Sequence, residues 1–226
     1  MLQQLLAVAA PMLLGAQLIL TLILIKGDIC PGQRGRIHKV LPAIAVLWLA
    51  VASLKIEAMM VVFAIAYFYS QVQTKKTRDQ GPIWVMYLAN GLALSYVAIM
   101  IVEQGSVAGG INVFAQLLLL GALFAHLLLT VARTRLQAFH RILPVSGVIS
   151  AMLMTVAIGL KAASLDEQVL TQVMQPLLIG FGLMIAAVVV WCWHMLLSRD
   201  VSKPQLGFAL AVMMLAVTSN QALFAL

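Results

Sequence analysis

Residues 40–72 read VLPAIAVLWLAVASLKIEAMMVVFAIAYFYSQV, and this stretch decides how the chain is organised. It is mostly apolar, but Lys55 and Glu57 interrupt it near the middle. One helix through its 33 residues would be about 50 Å long, whereas the hydrocarbon core of a bilayer is about 30 Å thick. We therefore predict two membrane helices that meet at a tight turn around 54–57, with the Lys55 ammonium reaching the interface.

The positions of the basic residues favour the same division. All 14 Lys and Arg residues except Lys55 and Lys161 fall in four short segments, at 26–39, 75–78, 133–141 and 199–203. Basic loops of membrane proteins collect on the cytoplasmic side. If 40–72 were one span, the last three segments would face the side opposite the first. Two spans place all four segments on one side.

Apolar runs near helix length predict an all-α polytopic membrane protein with eight transmembrane helices. No Lys or Arg precedes the first run and Lys26 follows it, which is the reverse of a cleavable signal peptide. We therefore expect both termini to lie outside. The predicted spans are 3–25, 40–54, 57–72, 83–102, 112–132, 143–160, 174–197 and 205–224.

The composition excludes an ordinary soluble domain. Charged residues make up 9% of the chain, against about 25% in a typical soluble domain. The net charge of +7 resides in loops at helix ends, where it suits lipid headgroups, and we predict no nucleic-acid partner. The expected partners are membrane lipids and other membrane proteins. The expected location is the bacterial cytoplasmic (inner) membrane, with the basic loops in the cytoplasm.

The chain carries the signs of an internal duplication. Residues 38–55 read HKVLPAIAVLWLAVASLK, and residues 140–161 read HRILPVSGVISAMLMTVAIGLK. The motif LLGA occurs at 13–16 and again at 119–122. We predict two tandem four-helix units at 1–104 and 113–226, joined by an outer loop at 105–112. Four spans per unit make this a parallel repeat, in which both copies point the same way.

Part of the second half resembles the SirB-type four-span bacterial membrane proteins. The similar stretch is AHLLLTVARTRLQAFHRILP, at 125–144. That family also places a His in its first span and an Arg-x-Leu-Pro-like run before its second. This chain has VSGV at 145–148 where the family has His-x-x-Asp-Thr. The resemblance covers about twenty residues, implies a four-span unit and transfers no site residue.

Four histidines are the candidate cofactor ligands. His126 lies within the fifth span and His194 near the inner end of the seventh, at comparable depth. Intramembrane His is uncommon and can ligate haem b, so these two residues are the first candidates. His38 and His140 begin the second and sixth spans, where headgroup contact or helix capping would account for them. An interhelical hydrogen bond would equally account for His126.

Other polar residues within the spans are candidates for helix packing or for a transport pathway. They are Gln17, Asn90, Ser95, Gln116 and Asn220. Two pairs, Gly91 with Ser95 and Gly182 with Ala186, have the small-xxx-small spacing of close helix contacts.

No motif indicates catalysis or a metal site. The chain lacks GxSxG, HExxH, P-loop and GxGxxG patterns, and neither Cys30 nor Cys192 belongs to a zinc spacing. This favours a non-enzymatic protein. The first hypothesis is a binding or accessory component of a membrane assembly. The second is a b-type haem or quinone-linked electron-transfer protein that uses His126 and His194. The third is a small-molecule transporter with its route between the two repeats.

Overall fold

The computed structural model describes residues 2–27, 29–74, 81–134 and 136–225. The predicted all-α class is confirmed, because 86% of the chain is helical. The basic segment 75–78 and Arg135 lie outside the described residues. The helices are α1 (Leu2–Lys26), α2 (Pro31–His38), α3 (Leu41–Ala52), α4 (Met59–Thr74), α5 (Ile83–Glu103), α6 (Val107–Val131), α7 (Phe139–Ala162), α8 (Glu167–Leu196) and α9 (Lys203–Gln221), with short 3-10 helices at Ile56–Ala58 and Ala222–Ala225.

The stretch 40–72 is divided where its charged residues predicted. Helix α3 ends at Ala52, and Lys55 has an extended backbone immediately before the 3-10 helix Ile56–Ala58. The Lys55 ammonium bonds both carboxylate oxygens of Glu103 at 2.6 Å. This contact ties the turn to the end of α5.

Two predicted boundaries were wrong. The loop predicted at 105–112 is mostly the first turns of α6, so that the connection from α5 is only 104–106. Gly105 supplies the positive φ of +63° that this tight turn requires, and the Ser106 hydroxyl caps α6 by accepting from the Gly109 N–H at 3.1 Å. Helix α8 begins at Glu167 rather than at 174, because Pro176 is accommodated inside the helix.

Helices α1 and α6 form the centre of the molecule and are the most buried of its six long apolar segments in the described part of the chain. They cross at Gly15 and Gly121, where the two backbones touch. A Cβ on Gly121 would lie 2.6 Å from the Gly15 Cα, and a Cβ on Gly15 would overlap the Leu117 carbonyl oxygen. Around this crossing, α1 packs with α3 and α5, and α6 packs with α7 and α9.

Hydrogen bonds bring three of the basic segments to one end of the molecule. The Arg36 guanidinium donates to the Arg133 carbonyl at 3.0 Å, which joins the first segment to the third. The Arg199 N–H donates to the His194 carbonyl, and the His194 ring bonds the His140 carbonyl. The Lys55–Glu103 ion pair joins the turn after α3 to the end of α5. Because α3 begins beside the first basic segment, this ion pair lies at the opposite end of the molecule. We call the two ends the basic end and the acidic end.

Within the described residues, six helical segments are long and apolar enough to cross a membrane. The segment Ile56–Val72 is apolar but shorter. These findings establish a membrane protein with several apolar helices, and the count of eight spans stays a prediction. The six are Gln3–Lys26, Pro31–Ala52, Ile83–Glu103, Val107–Val131, Phe139–Ala162 and Glu167–Leu196.

Candidate functional site

Three of the four histidines form one group at the basic end. His126 on α6 and His140 in the first turn of α7 are joined through Nε2 and Nδ1 at 2.8 Å. The Trp191 indole on α8 donates to the other nitrogen of His126, Nδ1, at 2.9 Å. The His194 ring lies 5.6 Å from that of His126, centroid to centroid. We call His126, His140, Trp191 and His194 the histidine cluster.

The bond from Trp191 sets the tautomer of His126. An indole N–H only donates, so His126 Nδ1 accepts and the ring proton of a neutral His126 lies on Nε2. That proton is then donated to His140 Nδ1. His126 is fully buried and depends on these two bonds to satisfy its ring. The result is a directed chain of hydrogen bonds from α8 through α6 to α7.

Both ring nitrogens of His194 face carbonyl oxygens. Nδ1 lies 2.9 Å from the Trp191 oxygen, and Nε2 lies 3.0 Å from the His140 oxygen. A carbonyl oxygen only accepts, so each ring nitrogen can bond to it only when it carries a proton. The imidazolium form satisfies both bonds, whereas either neutral tautomer would set a lone pair against an oxygen. A neutral His194, which carries one ring proton, can therefore form only one of these two bonds at a time.

The cluster is packed around the Trp191 indole, which is fully buried. A Cβ on Gly147 of α7 would overlap the indole ring, so only glycine leaves room for it at that position. Sequence reasoning missed both residues. The Trp-Cys-Trp-His run at 191–194 was a signal, because a buried indole N–H needs an acceptor.

The contacts within the histidine cluster compete with the haem ligation that was predicted for His126 and His194. His126 and His194 do lie close together, but each of their four ring nitrogens lies within hydrogen-bond distance of an atom of the chain. An iron would have to displace one of these contacts on each ring. Among the described residues, no group of three or more His, Cys, Asp or Glu is arranged to hold a metal ion. Haem binding stays a prediction.

Of the two histidines expected at helix starts, His140 lies in the first turn of α7, whereas His38 lies elsewhere. His38 ends the short helix α2, is 2% exposed and packs its ring edge-on against Phe68 at 5.5 Å. Headgroup contact and capping therefore do not explain it, because the return of α2 onto α4 buries the ring. His140 is half-buried and bonds to His126.

Helices α1, α3 and α5 share a second buried polar network. The Gln17 carboxamide on α1 donates to Asn90 Oδ1 on α5 at 2.8 Å. Its oxygen accepts from the Trp48 indole on α3 at 3.1 Å. Three helices are thereby joined through one side chain.

The remaining polar candidates differ from this pattern. Ser95 is exposed and donates to Gly91 of its own helix. Gln116 and Asn220 are each 1% exposed and have carboxamide atoms without a partner among the described residues. Asn220 packs directly against Gly180.

The predicted close contacts at Gly91 and Gly182 were wrong. A Cβ at either position would meet no atom within 4 Å. The spacing occurs on helix faces that turn away from the other helices. The close crossing is instead at Gly15 and Gly121, within the repeated LLGA motif.

An open cavity of about 280 Å³ lies where α1, α6 and α7 meet. Four small residues contribute to its wall, namely Gly15, Ala122, Ser146 and Ser150. Both serine hydroxyls donate to carbonyls of their own helix, at 2.8 and 2.7 Å. The wall is therefore apolar in character. We call this cavity the lateral groove; larger apolar residues complete it, namely Leu18, Ile19, Leu117, Leu118 and Ile149.

Fold and site together define an integral membrane protein of apolar helices joined by buried polar networks. The chain belongs to a family described as an integral membrane domain, which matches residues 3–220. An uncharacterized protein of Haemophilus influenzae is 35% identical over 155 residues, covering 64% of this chain and 58% of that protein. The chain thus spans less than two thirds of that relative's length. No solved structure matches significantly.

Proposed function

We propose that the chain crosses the bacterial inner membrane eight times, with both termini outside and the basic end in the cytoplasm. The gathering of three basic segments at one end supports this orientation, as does the ion pair at the other end. Helix α4 and helix α9 would supply the two spans beyond the six that meet the length and hydropathy criteria.

The packing of the helices supports two tandem units related by a pseudo-two-fold axis along the membrane normal. The contacts α1–α3, α3–α4, α4–α5 and α1–α5 have counterparts in α6–α7, α7–α8, α8–α9 and α6–α9. The contact α1–α9 between units has its counterpart in α5–α6. Equivalent glycines meet at the central crossing, as a self-complementary interface requires.

Thiol labelling tests the topology. In a chain with Cys30 and Cys192 replaced by alanine, single cysteines at Thr77 and Gln137 should react only from the cytoplasmic side. Single cysteines at Val107, which is 79% exposed, and at Ser164 should react only from outside. Labelling of 77 and 137 from opposite sides would refute the eight-span arrangement.

Within this architecture the chain acts as a non-enzymatic binding component of a membrane assembly. The lateral groove is the observation that supports this role best, and its occupant is a transmembrane helix of a partner protein. Small residues on adjoining helices allow close approach of another helix. Because its serine hydroxyls bond within α7, the groove offers little to a polar ligand.

Cross-linking in native membranes, followed by purification in mild detergent, tests this role. Ile149→Trp would fill the groove, since Ile149 lines it and is 63% exposed. Ile99→Trp is the matched control, since Ile99 is 54% exposed on α5 and does not line the groove. The wild type and the control should retain one stoichiometric partner, and Ile149→Trp should lose it. Equal retention by both variants, or no partner of the wild type, would contradict the role.

Electron transfer through haem b is the second candidate, and the closeness of the His126 and His194 rings favours it. The absorption spectrum of the purified protein should then show a Soret band that His126→Ala and His194→Ala remove and His38→Ala keeps. A wild-type protein without this band would exclude haem b. The transporter hypothesis stays a prediction.

A further inference from the structure

Another buried imidazole, that of His38 in the first unit, lies in surroundings unlike those of the histidine cluster. It is 2% exposed, and neither ring nitrogen has a hydrogen-bond partner among the described residues. Arg34 lies one helical turn earlier on the same face of α2. Its Nε is also buried and also without a partner in the described part of the chain. Three polar nitrogens are thus left unsatisfied side by side, which buried polar groups rarely are.

The neighbouring arginine on the same helix shows that this is particular to Arg34. Arg36 donates through Nε to the Gly32 carbonyl at 3.3 Å and through Nη1 to the Arg133 carbonyl at 3.0 Å. Its donors are used by the protein. Arg34 is turned to the His38 side of α2, where the described residues provide no carboxylate for it.

Comparison of the two halves of the chain shows which hydrogen-bond partner His38 lacks. His38 and His140 occupy matching places in HKVLP and HRILP. The ring of His140 is satisfied by His126, five residues beyond the glycine of the second LLGA motif. The residue at the same distance from Gly15 is Leu20, which has no hydrogen-bonding group. The first unit therefore retains the histidine without its protein partner.

We propose that Arg34 and His38 form a binding site for an oxyanion of the phosphate class. A guanidinium only donates hydrogen bonds, and an imidazole beside it donates from at least one nitrogen. An acceptor-only anion is the group that complements both. Phosphate oxygens suit the planar fork of arginine, and charge-assisted bonds of this kind are strong. The ring of Phe68, whose centroid lies 5.5 Å from that of His38, bounds the site on the side of α4.

The site lies at the basic end, where the phosphate of an anionic lipid headgroup and free inorganic phosphate share this chemistry. Phosphatidylglycerol and inorganic phosphate are therefore the two probes. The protein is placed in micelles of a maltoside detergent, which contains no phosphate, with or without phosphatidylglycerol and in a phosphate-free buffer. Retained lipid is measured by native mass spectrometry. Inorganic phosphate is then titrated in the lipid-free micelles, and the shift of the unfolding midpoint is recorded.

Three variants decide the outcome. Arg34→Gln and His38→Leu should each weaken binding about tenfold or more, since each removes a charge-assisted or buried hydrogen bond. Lys39→Gln removes the same charge from an exposed neighbouring position and should bind as the wild type does. His38→Leu should also raise the unfolding midpoint of the ligand-free protein, because it removes two unsatisfied buried nitrogens.

Retention of phosphatidylglycerol alone would assign the site to a lipid headgroup, and a shift with inorganic phosphate alone would assign it to a free anion. Equal losses in Arg34→Gln and Lys39→Gln would show diffuse surface charge and overturn the site. So would wild-type binding by His38→Leu, or no response of the wild type to either probe. Should His38→Leu fail to fold, the comparison of Arg34→Gln with Lys39→Gln still decides, because Arg34 is partly exposed and its substitution leaves the core intact.

Discussion

Gly15 and Gly121 face each other across the crossing of the two central helices, with no side chain between the backbones. A Cβ on Gly121 would lie 2.6 Å from the Gly15 Cα, 2.9 Å from its carbonyl carbon and 3.1 Å from the Ala16 nitrogen. These are backbone atoms, which cannot move aside by a rotamer change. The same LLGA motif supplies both glycines.

Gly121→Ala should therefore lower the free energy of unfolding by roughly 2 kcal/mol or more, as overpacked contacts do. Titration with a denaturing detergent from mixed micelles measures the change. Gly91→Ala is the control, because a Cβ there meets nothing within 4 Å and should alter stability by less than about 0.5 kcal/mol. Equal losses in the two variants would contradict the close crossing.

The bond between Trp191 and His126 should appear as a coupling energy. His126→Leu and Trp191→Phe should each destabilise the protein, and a double-mutant cycle should give an interaction of about 0.6 to 1.7 kcal/mol, the range of hydrogen bonds between membrane helices. The control is Trp193→Phe, whose parent side chain is 49% exposed. A cycle of Trp193→Phe with His126→Leu should give no coupling. A vanishing coupling for Trp191 would mean that the 2.9 Å bond does not form.

Gln17→Leu should destabilise the protein by about 1–3 kcal/mol, because it leaves the Trp48 N–H and the Asn90 carboxamide buried without a partner. Unfolding in mixed micelles measures the loss. Ser95→Ala removes only a bond within an exposed helix face and should be nearly neutral. If Ser95→Ala cost as much as Gln17→Leu, the three-helix network would not be a stabilising element.

A smaller side chain at Asn220 should restore the stability that is lost when a side chain is added at Gly180. A Cβ on Gly180 would overlap Asn220 Oδ1 and lie 2.7 Å from its Cγ. Gly180→Ala should lower the unfolding midpoint, and adding Asn220→Ala should recover most of the loss. Asn220→Ala should stabilise the double variant for a second reason, because it removes two buried carboxamide atoms that lack a partner among the described residues. Strictly additive losses in the double variant would contradict this contact.

The ion pair at the acidic end predicts a pH dependence. The hydrogen bond that Lys55 donates to the Glu103 carboxylate raises the pKa of Lys55 above its ordinary value of 10.5, and the small desolvation of the ammonium opposes this. A raised lysine pKa stabilises the fold below pH 10.5, and the contribution is lost as pH rises through the folded-state pKa. Both side chains are about half exposed, so the contribution should stay below about 1 kcal/mol.

Unfolding midpoints of the wild type and Glu103→Gln, compared between about pH 8 and pH 12, test this dependence. The wild type should be slightly more stable at pH 8, and the difference should disappear at the alkaline limit. A difference that grew with pH would have the wrong sign for this pair.

Much of the fold could be predicted from one-dimensional patterns. The break in 40–72 followed from length and from Lys55, because no helix of that length fits a bilayer and lysine favours its edge. The helix boundaries at 107 and 167 could not be predicted. Gly109, Gly110 and Pro176 are ordinary helix breakers in water, yet here they lie within helices. In lipid, the loss of backbone hydrogen bonds costs more than poor helix propensity.

The candidate site was predictable only in part. His126 and His194 were singled out because intramembrane imidazoles are rare, and the structure brings their rings together. That His140 joins them while His38, in the similar stretch HKVLP, is left unsatisfied had no sequence signal apart from Leu20. The partner of a ring nitrogen depends on the depth and rotation of two helices at once.

By itself the sequence determined that lipid surrounds the chain and that its secondary structure is helical. An apolar chain with few charges must satisfy its backbone hydrogen bonds in helices within lipid. Tertiary structure alone decided that Gly15 meets Gly121 while Gly91 meets nothing, and that Trp191 bonds His126. The physical reason is that these helices are apolar nearly all round. Hydropathy therefore sets their depth in the bilayer, whereas their rotation is set by close packing and a few interhelical hydrogen bonds.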